Sequence, residues 1–210
     1  MGHALEAARH CTYADYLTWP DDVRCELIDG QPLPMSPAPT PIHQLIAGEV
    51  YVQLVNQLKG QRCIPMIAAV DVRLPKGGEA DEFIDTVVQP DVLVLCDTRK
   101  LSPRGVRGAP DWVLEVVSPG NAAHDIVTKR RLYERAGVRE YWLVHPMDRV
   151  LTVHTLGPDG LYGRPHLQTL EGRTDIGVLP GSCIDWDELP ADWLAVAAAA
   201  KDADDDGVKA

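Results

Sequence analysis

The sequence predicts an α/β (α+β) domain with a central mixed β-sheet flanked by helices. Three stretches carry that expectation. Residues 110–144 read as strand, turn, helix and strand, with apolar runs bounded by turn residues. Residues 63–74 and 86–96 read as two strands around a long acidic loop, pairing as an antiparallel hairpin. Residues 41–58 carry Ile42, Leu45, Ile46, Val50, Leu54 and Leu58 at helical spacing, with Pro41 suited to the first turn.

The stretch 110–144 organises the rest. Residues 112–117 are apolar at every position except Glu115, as in a strand covered on both faces. A carboxylate there is costly to bury unless a cation, a metal or several donors meet it. Ser118-Pro119-Gly120 breaks the strand, Asn121 is a candidate N-cap, and Gly137 can end the following helix in the left-handed conformation. On that helix Lys129 lies three residues after Ile126 and four before Tyr133, and so shares their inward stripe. Arg130, Arg131 and Arg135 extend the basic character. An ion pair of Lys129 with Glu115 or Asp125 would by itself account for the pattern.

A second acid changes the weighing. Residues 87–95 form another apolar strand, with Asp91 directly after Pro90. Two acids on two apolar strands, with a lysine near both, can hold a divalent cation and a water against a phosphate. Mg²⁺ takes carboxylates together with retained waters and a substrate phosphate. The metal activates its bound water and polarises the phosphoryl oxygen, and an ammonium can stabilise the charge that develops.

Pro90-Asp91, Glu115-Val116-Val117-Ser118, Asp125, Lys129, Ala136-Gly137-Val138 and Glu140-Tyr141-Trp142 together resemble the Uma-two family, whose members are described as endonucleases of the PD-(D/E)XK superfamily. Glu26-Leu27-Ile28-Asp29-Gly30, Met35-Ser36-Pro37, His43 and Leu179-Pro180-Gly181 extend the resemblance from about residue 13 to 189. It implies a restriction-endonuclease-like core. It implies Asp91 and Glu115 as metal ligands, with the Val116 carbonyl beside them, and Lys129 as the cation near the water. The superfamily lysine normally sits two residues after the strand glutamate, where this chain has Val117. Lys129 on the following helix fits a migrated replacement. Glu26, His43, Glu49 and Asp125 are supporting candidates. For Glu26 an edge-strand acid is the competing role, and for Glu49 an exposed one.

At 210 residues the chain suits one well-buried domain. Residues 1–11 read as a disordered lead, 12–200 as a single nuclease-like domain and 201–210 as a disordered acidic tail. The formal net charge of −11 argues against non-specific polyanion binding by the whole surface. Contact with DNA must therefore use a local basic face, for which Arg130, Arg131, Arg135 and Arg139 are candidates, as are Lys100, Arg104 and Arg107. Five scattered cysteines without a C-x-x-C argue against a zinc knuckle or a disulfide framework and fit a reducing compartment. Cys63 and Cys96 read as small core residues. No secretory signal or membrane span is evident, so a cytoplasmic protein is expected.

Elsewhere residues 12–19 suggest a short helix, 24–28 a strand closed by Asp29-Gly30, and 31–40 a proline-rich loop. Residues 140–145 and 149–155 suggest a hairpin, 162–170 and 177–184 short closing strands, and 187–200 a terminal helix anchored by Trp193. The expected function is Mg²⁺-dependent (or Mn²⁺-dependent) hydrolysis of DNA phosphodiester bonds by a homodimer. The alternative is a non-catalytic nucleic-acid- or protein-binding module on the same fold.

Overall fold

The computed structural model describes residues 9–20, 22–35, 39–118, 124–190 and 192. The candidate cap Asn121, Trp193 with most of the expected terminal helix, and the acidic tail lie outside them. Of the expected disordered lead, residues 9–11 are described, and the Cys11 N–H donates to the Gly30 carbonyl at 2.8 Å.

A short helix α1 (Tyr13–Tyr16) precedes β1 (Cys25–Ile28) and β2 (Gln31–Pro34). Asp29 and Gly30 turn this hairpin with φ of 50° and 78°. β2 falls where a proline-rich loop was expected. It is an edge strand, and Pro32 and Pro34 both stand at alternate ladder positions, opposite Leu27 and Cys25. A proline's missing N–H is tolerated at an edge. Helix α2 (Pro41–Leu58) follows, with the Thr40 hydroxyl accepting from the His43 N–H. It buries Ile46, Ala47, Val50, Gln53, Leu54 and Leu58, whereas Leu45 is exposed. The buried stripe is thus rotated from the one expected.

The expected hairpin is present but broken into β3 (Ile64–Ile67), β4 (Val72–Arg73), β5 (Val87–Val88) and β6 (Val92–Leu95). β3 pairs with β6 and β4 with β5, in two different sheets. Two acids of the connecting loop are tied down rather than simply solvated. Asp81 meets Arg73 and Arg107, and Asp85 meets Lys76. A hairpin of β7 (Leu101–Ser102) and β8 (Gly105–Arg107) then precedes β9 (Trp112–Val116). Gly105 is obligatory there, because its φ is +93° and a Cβ would lie 2.2 Å from the Asp71 carbonyl oxygen.

After β9 a six-residue π-helical turn, His124–Lys129, runs into α3 (Arg130–Ala136), β10 (Glu140–His145) and β11 (Val150–Thr155). Gly137, at φ 87°, caps α3 and donates its N–H to the Tyr133 and Glu134 carbonyls. The chain closes with β12 (His166–Thr169), β13 (Arg173–Asp175) and β14 (Cys183–Asp185).

The central sheet has the order β12-β11-β10-β9-β6-β3. β9 and β10 are parallel and the other neighbours antiparallel, so the sheet is mixed. The second sheet runs β2-β1-β5-β4-β8-β7, and β13 and β14 form a third, two-stranded sheet. Strand alternation then divides the core. Trp112, Leu114, Val116, Trp142 and Val144 pack with α2. Val113, Tyr141 and Leu143 pack with Leu132 and Tyr133 of α3 and with Ile28, Val72, Val88 and Val106 of the second sheet. α3 is therefore held between the two sheets, and Glu115 belongs to the face of β9 that it covers.

Cys63 and Cys96 form a disulfide, which corrects their reading as reduced core residues. The β3–β6 register pairs Ile64 with Leu95, so one further step sets the two cysteines opposite each other. Long-range pairing of this kind has no signature in cysteine spacing. The bridge is 33 residues apart in sequence, and closing a loop of that length stabilises by about 3–4 kcal/mol in the chain-entropy model. Thermal melts should show the reduced protein, or Cys63→Ser, less stable by up to that amount. Coincident melts with and without reductant would mean that the bridge is not closed in solution.

His154 is buried between the rings of Tyr141 and Tyr162. Burial, aided by Arg130 and opposed by Glu134, pulls its pKa down from 6.5 to about 4. Between those values the unfolded chain binds a proton that the folded chain refuses, so stability falls as pH drops through this window. Melts from pH 7.5 to 4.5 should show the loss, and His154→Gln should flatten the slope. An unchanged slope in that variant would remove His154 from the account.

Candidate active site

The break in the long hairpin builds the site. Where the hairpin passes from β3 and β6 of the central sheet to β4 and β5 of the second, the Ala68 N–H still donates to the Asp91 carbonyl at 2.9 Å. Asp91 sits one residue before β6. Because Val92 pairs with Leu114, Asp91 comes opposite Glu115 of β9. The Asp91 carboxylate accepts from the Val116 N–H at 2.8 Å and lies 3.0 Å from His43 Nε2. The Asp91 N–H approaches Glu115 Oε2 at 3.4 Å.

Lys129 comes to this point from the π-helical turn, held in the space between the sheets. Its Nζ lies 3.0 Å from Glu115 Oε1, 3.1 Å from Glu26 Oε1 and 3.7 Å from Asp125 Oδ1. The Tyr133 hydroxyl donates to Glu115 Oε1 at 2.8 Å. Glu26 also accepts from the Gln89 N–H at 2.9 Å and lies 3.0 Å from His124 Nε2. Tyr133 apart, these side chains border an open cleft of about 270 Å³, lined among others by Arg24, Gln44 and Ser118.

Glu115 and Lys129 are only 2% and 5% exposed, so their charges interact in a poorly screened setting. Burial drives the Glu115 carboxyl well above its usual range against the pull of Lys129, and Asp91, Asp125 and Glu26 add to the rise. Burial also raises Asp125. For Lys129 burial works toward neutrality, but Glu115, Glu26 and Asp125 overcome it and the ammonium stays charged. Glu26 is held down to about 2, because Lys129, His124 and the Gln89 N–H prevail over its burial. Burial and Glu115 keep the Tyr133 phenol protonated.

Most of the residues expected from sequence converge here: Asp91, Glu115, Val116, Lys129, Glu26, His43 and Asp125 all line the cleft. Glu26 is not an edge-strand acid, since β1 lies between β2 and β5 and its side chain is buried. Glu49 is not at the site. It accepts from Gln53, whose amide also donates to the Asp185 carbonyl. Ile126 is exposed rather than inward, because the π-helical turn changes the phase of the helix at that point. Such turns recur at functional sites.

The proposed basic face does not line the cleft. Arg130 pairs with Glu134, Arg135 with Asp29 and Arg139 with Asp111. Arg131 is exposed, and Arg107 and Lys100 serve the loop around Asp81 and Ala109. Sequence reading missed Tyr133 and His124 as site residues. Tyr133 was detectable as the residue four after Lys129 on one stripe, whereas His124 had no signal in spacing.

The donor set fits a hard cation. Oxygen ligands dominate it, and among the described residues no partner meets Asp91 Oδ1. Around Lys129 stand four carboxylates, Glu26, Asp91, Glu115 and Asp125, against one ammonium. No group of three or more His, Cys, Asp or Glu side chains among the described residues is arranged to hold an ion unaided. A metal would thus complete its shell with the Val116 carbonyl, waters and substrate oxygens, as Mg²⁺ commonly does.

A mixed sheet bearing two acids on neighbouring strands, with a lysine from the crossover helix, defines a nuclease-like α+β class. The chain matches the Uma2 family model, described as "Putative restriction endonuclease", over residues 13–186, and belongs to that family. It is similar in fold to a protein of Anabaena variabilis ATCC 29413 whose crystal structure is described as "a putative nuclease belonging to DUF820". That likeness has a TM-score of 0.67 at 19% identity and covers 87% of this chain and 98% of the other. No curated protein matches the chain. Among the described residues no helix is long and apolar enough to cross a membrane.

Proposed function

We propose that the protein is a metal-dependent endonuclease that hydrolyses DNA phosphodiester bonds in this cleft. The observation that carries the reading is the meeting of Asp91, Glu115 and Lys129, from three separate elements, at one solvent-open point. Asp91, Glu115 and the Val116 carbonyl would hold Mg²⁺ or Mn²⁺. When bound, such an ion polarises a phosphoryl oxygen and acidifies a water.

The chain's own groups prepare that chemistry. Tyr133 and Lys129 both occupy Glu115 Oε1, which fixes the carboxylate and leaves Oε2 toward Asp91. His43 and the Val116 N–H fix Asp91 through its other oxygen, Oδ2. Glu26 anchors Lys129 from β1, holding the migrated ammonium where charge grows on the phosphate and the attacking water. The proposal extends to a homodimer, which rests on family resemblance, and to a cytoplasmic location, which rests on the sequence expectation above.

A non-catalytic binding module is the competing reading. The net charge of −11 favours it, as does the missing three-side-chain metal group among the described residues. Titrating Mg²⁺ or Mn²⁺ into wild type and Asp91→Ala during thermal melts separates the two. A ligand that binds the folded state raises its melting point. A rise confined to wild type supports the nuclease; no rise with or without an oligonucleotide present supports the module.

A further inference from the structure

We propose that Arg24 grips a phosphate of the bound strand beside the one that reacts, an inference that rests on the nuclease reading. Arg24 and Lys129 are the cationic side chains lining the cleft among the described residues. Lys129 is buried and held at the reacting point by three carboxylates, so a neighbouring phosphate of the strand needs a second cation. Arg24 is exposed, and no carboxylate among the described residues pairs with it. Arg73, Arg107, Arg130, Arg135 and Arg139 are all so paired.

The backbone explains why Arg24 faces the cleft. Its carbonyl accepts the Met35 N–H at 2.9 Å, which continues the β1–β2 ladder one step and keeps residue 24 extended. Residues two apart on a strand share a face. Arg24 therefore projects to the side on which Glu26 holds Lys129, displaced roughly 6–7 Å along the strand. A polyanion entering a cleft walled by four carboxylates needs a compensating cation. A guanidinium suits phosphate because its fork can bind two oxygens at once.

The test is fluorescence anisotropy of a labelled DNA oligonucleotide against the full chain, with Ca²⁺ in place of Mg²⁺, across a range of salt. Arg24→Gln should weaken binding about tenfold, the loss of one charged hydrogen-bonding contact. It should also lower the slope of log K against log salt by about 0.7–0.9, the contribution of one phosphate. Arg24→Lys should keep the slope and recover part of the affinity. Arg164→Gln, exposed and away from the cleft, should match wild type. Wild-type slope and affinity in Arg24→Gln would overturn the assignment alone. If wild type binds no oligonucleotide, the nuclease reading fails and takes this inference with it.

Discussion

Asp91→Ala should lose all metal-dependent cleavage while remaining folded. Asp91 supplies one of the two carboxylates proposed as ligands, and metal-ion catalysis of phosphoryl transfer is worth several kcal/mol, on the order of 10³-fold or more in rate. The variant also deprives the Val116 N–H and His43 of a partner, a loss of about 1–3 kcal/mol. Asp91→Asn is the sharper control, because it keeps an acceptor for the Val116 N–H while removing the charge. Both variants should lose the metal-dependent rise in melting temperature. Undiminished cleavage in the folded Asn variant would remove Asp91 from the chemistry.

Lys129→Met should be the most destabilising change at the site. It leaves Glu26 and Glu115 buried without their shared cation, and breaking a buried pair from one side costs about 3–5 kcal/mol. For a chain of this size that lowers the melting temperature by roughly 6–20 °C. Adding Glu26→Gln should restore part of the stability by removing one unmatched charge. Cleavage should stay absent in the double variant, because the ammonium itself is proposed to act on the phosphate and water. Cleavage returning together with stability would reduce Lys129 to a structural ion pair.

The elements carrying the strongest local periodicity were legible before any coordinates. α2 and β10 occupy the residues expected of them, β9 is covered on both faces, and Gly137 ends its helix left-handed. Repeating contacts every two or three to four residues write these features into the local order of side chains. The division of one hairpin between two sheets was not legible. Each half satisfies the same alternation, and the choice between partners lies far along the chain. Edge strand β2 was hidden by its prolines, which are harmless because no strand among the described residues pairs on its outer side. The arginines of α3 illustrate the opposite error. They form a basic run in sequence, yet Asp29 and Glu134 claim two of them.

By itself, the sequence determined the mixed α+β class, the family, and which acids and lysine deserve attention, because burying Glu115 among apolar neighbours demands a compensating group. Tertiary structure decided which partners join Lys129 around it. It turned Glu26 inward from the second sheet, set Tyr133 on Glu115, removed Glu49 and the α3 arginines from the cleft and paired Cys63 with Cys96. Each of these depends on which distant segments pack together, and the energies that fix them come from pairing and burial between elements. Local residue order does not encode those contacts one by one.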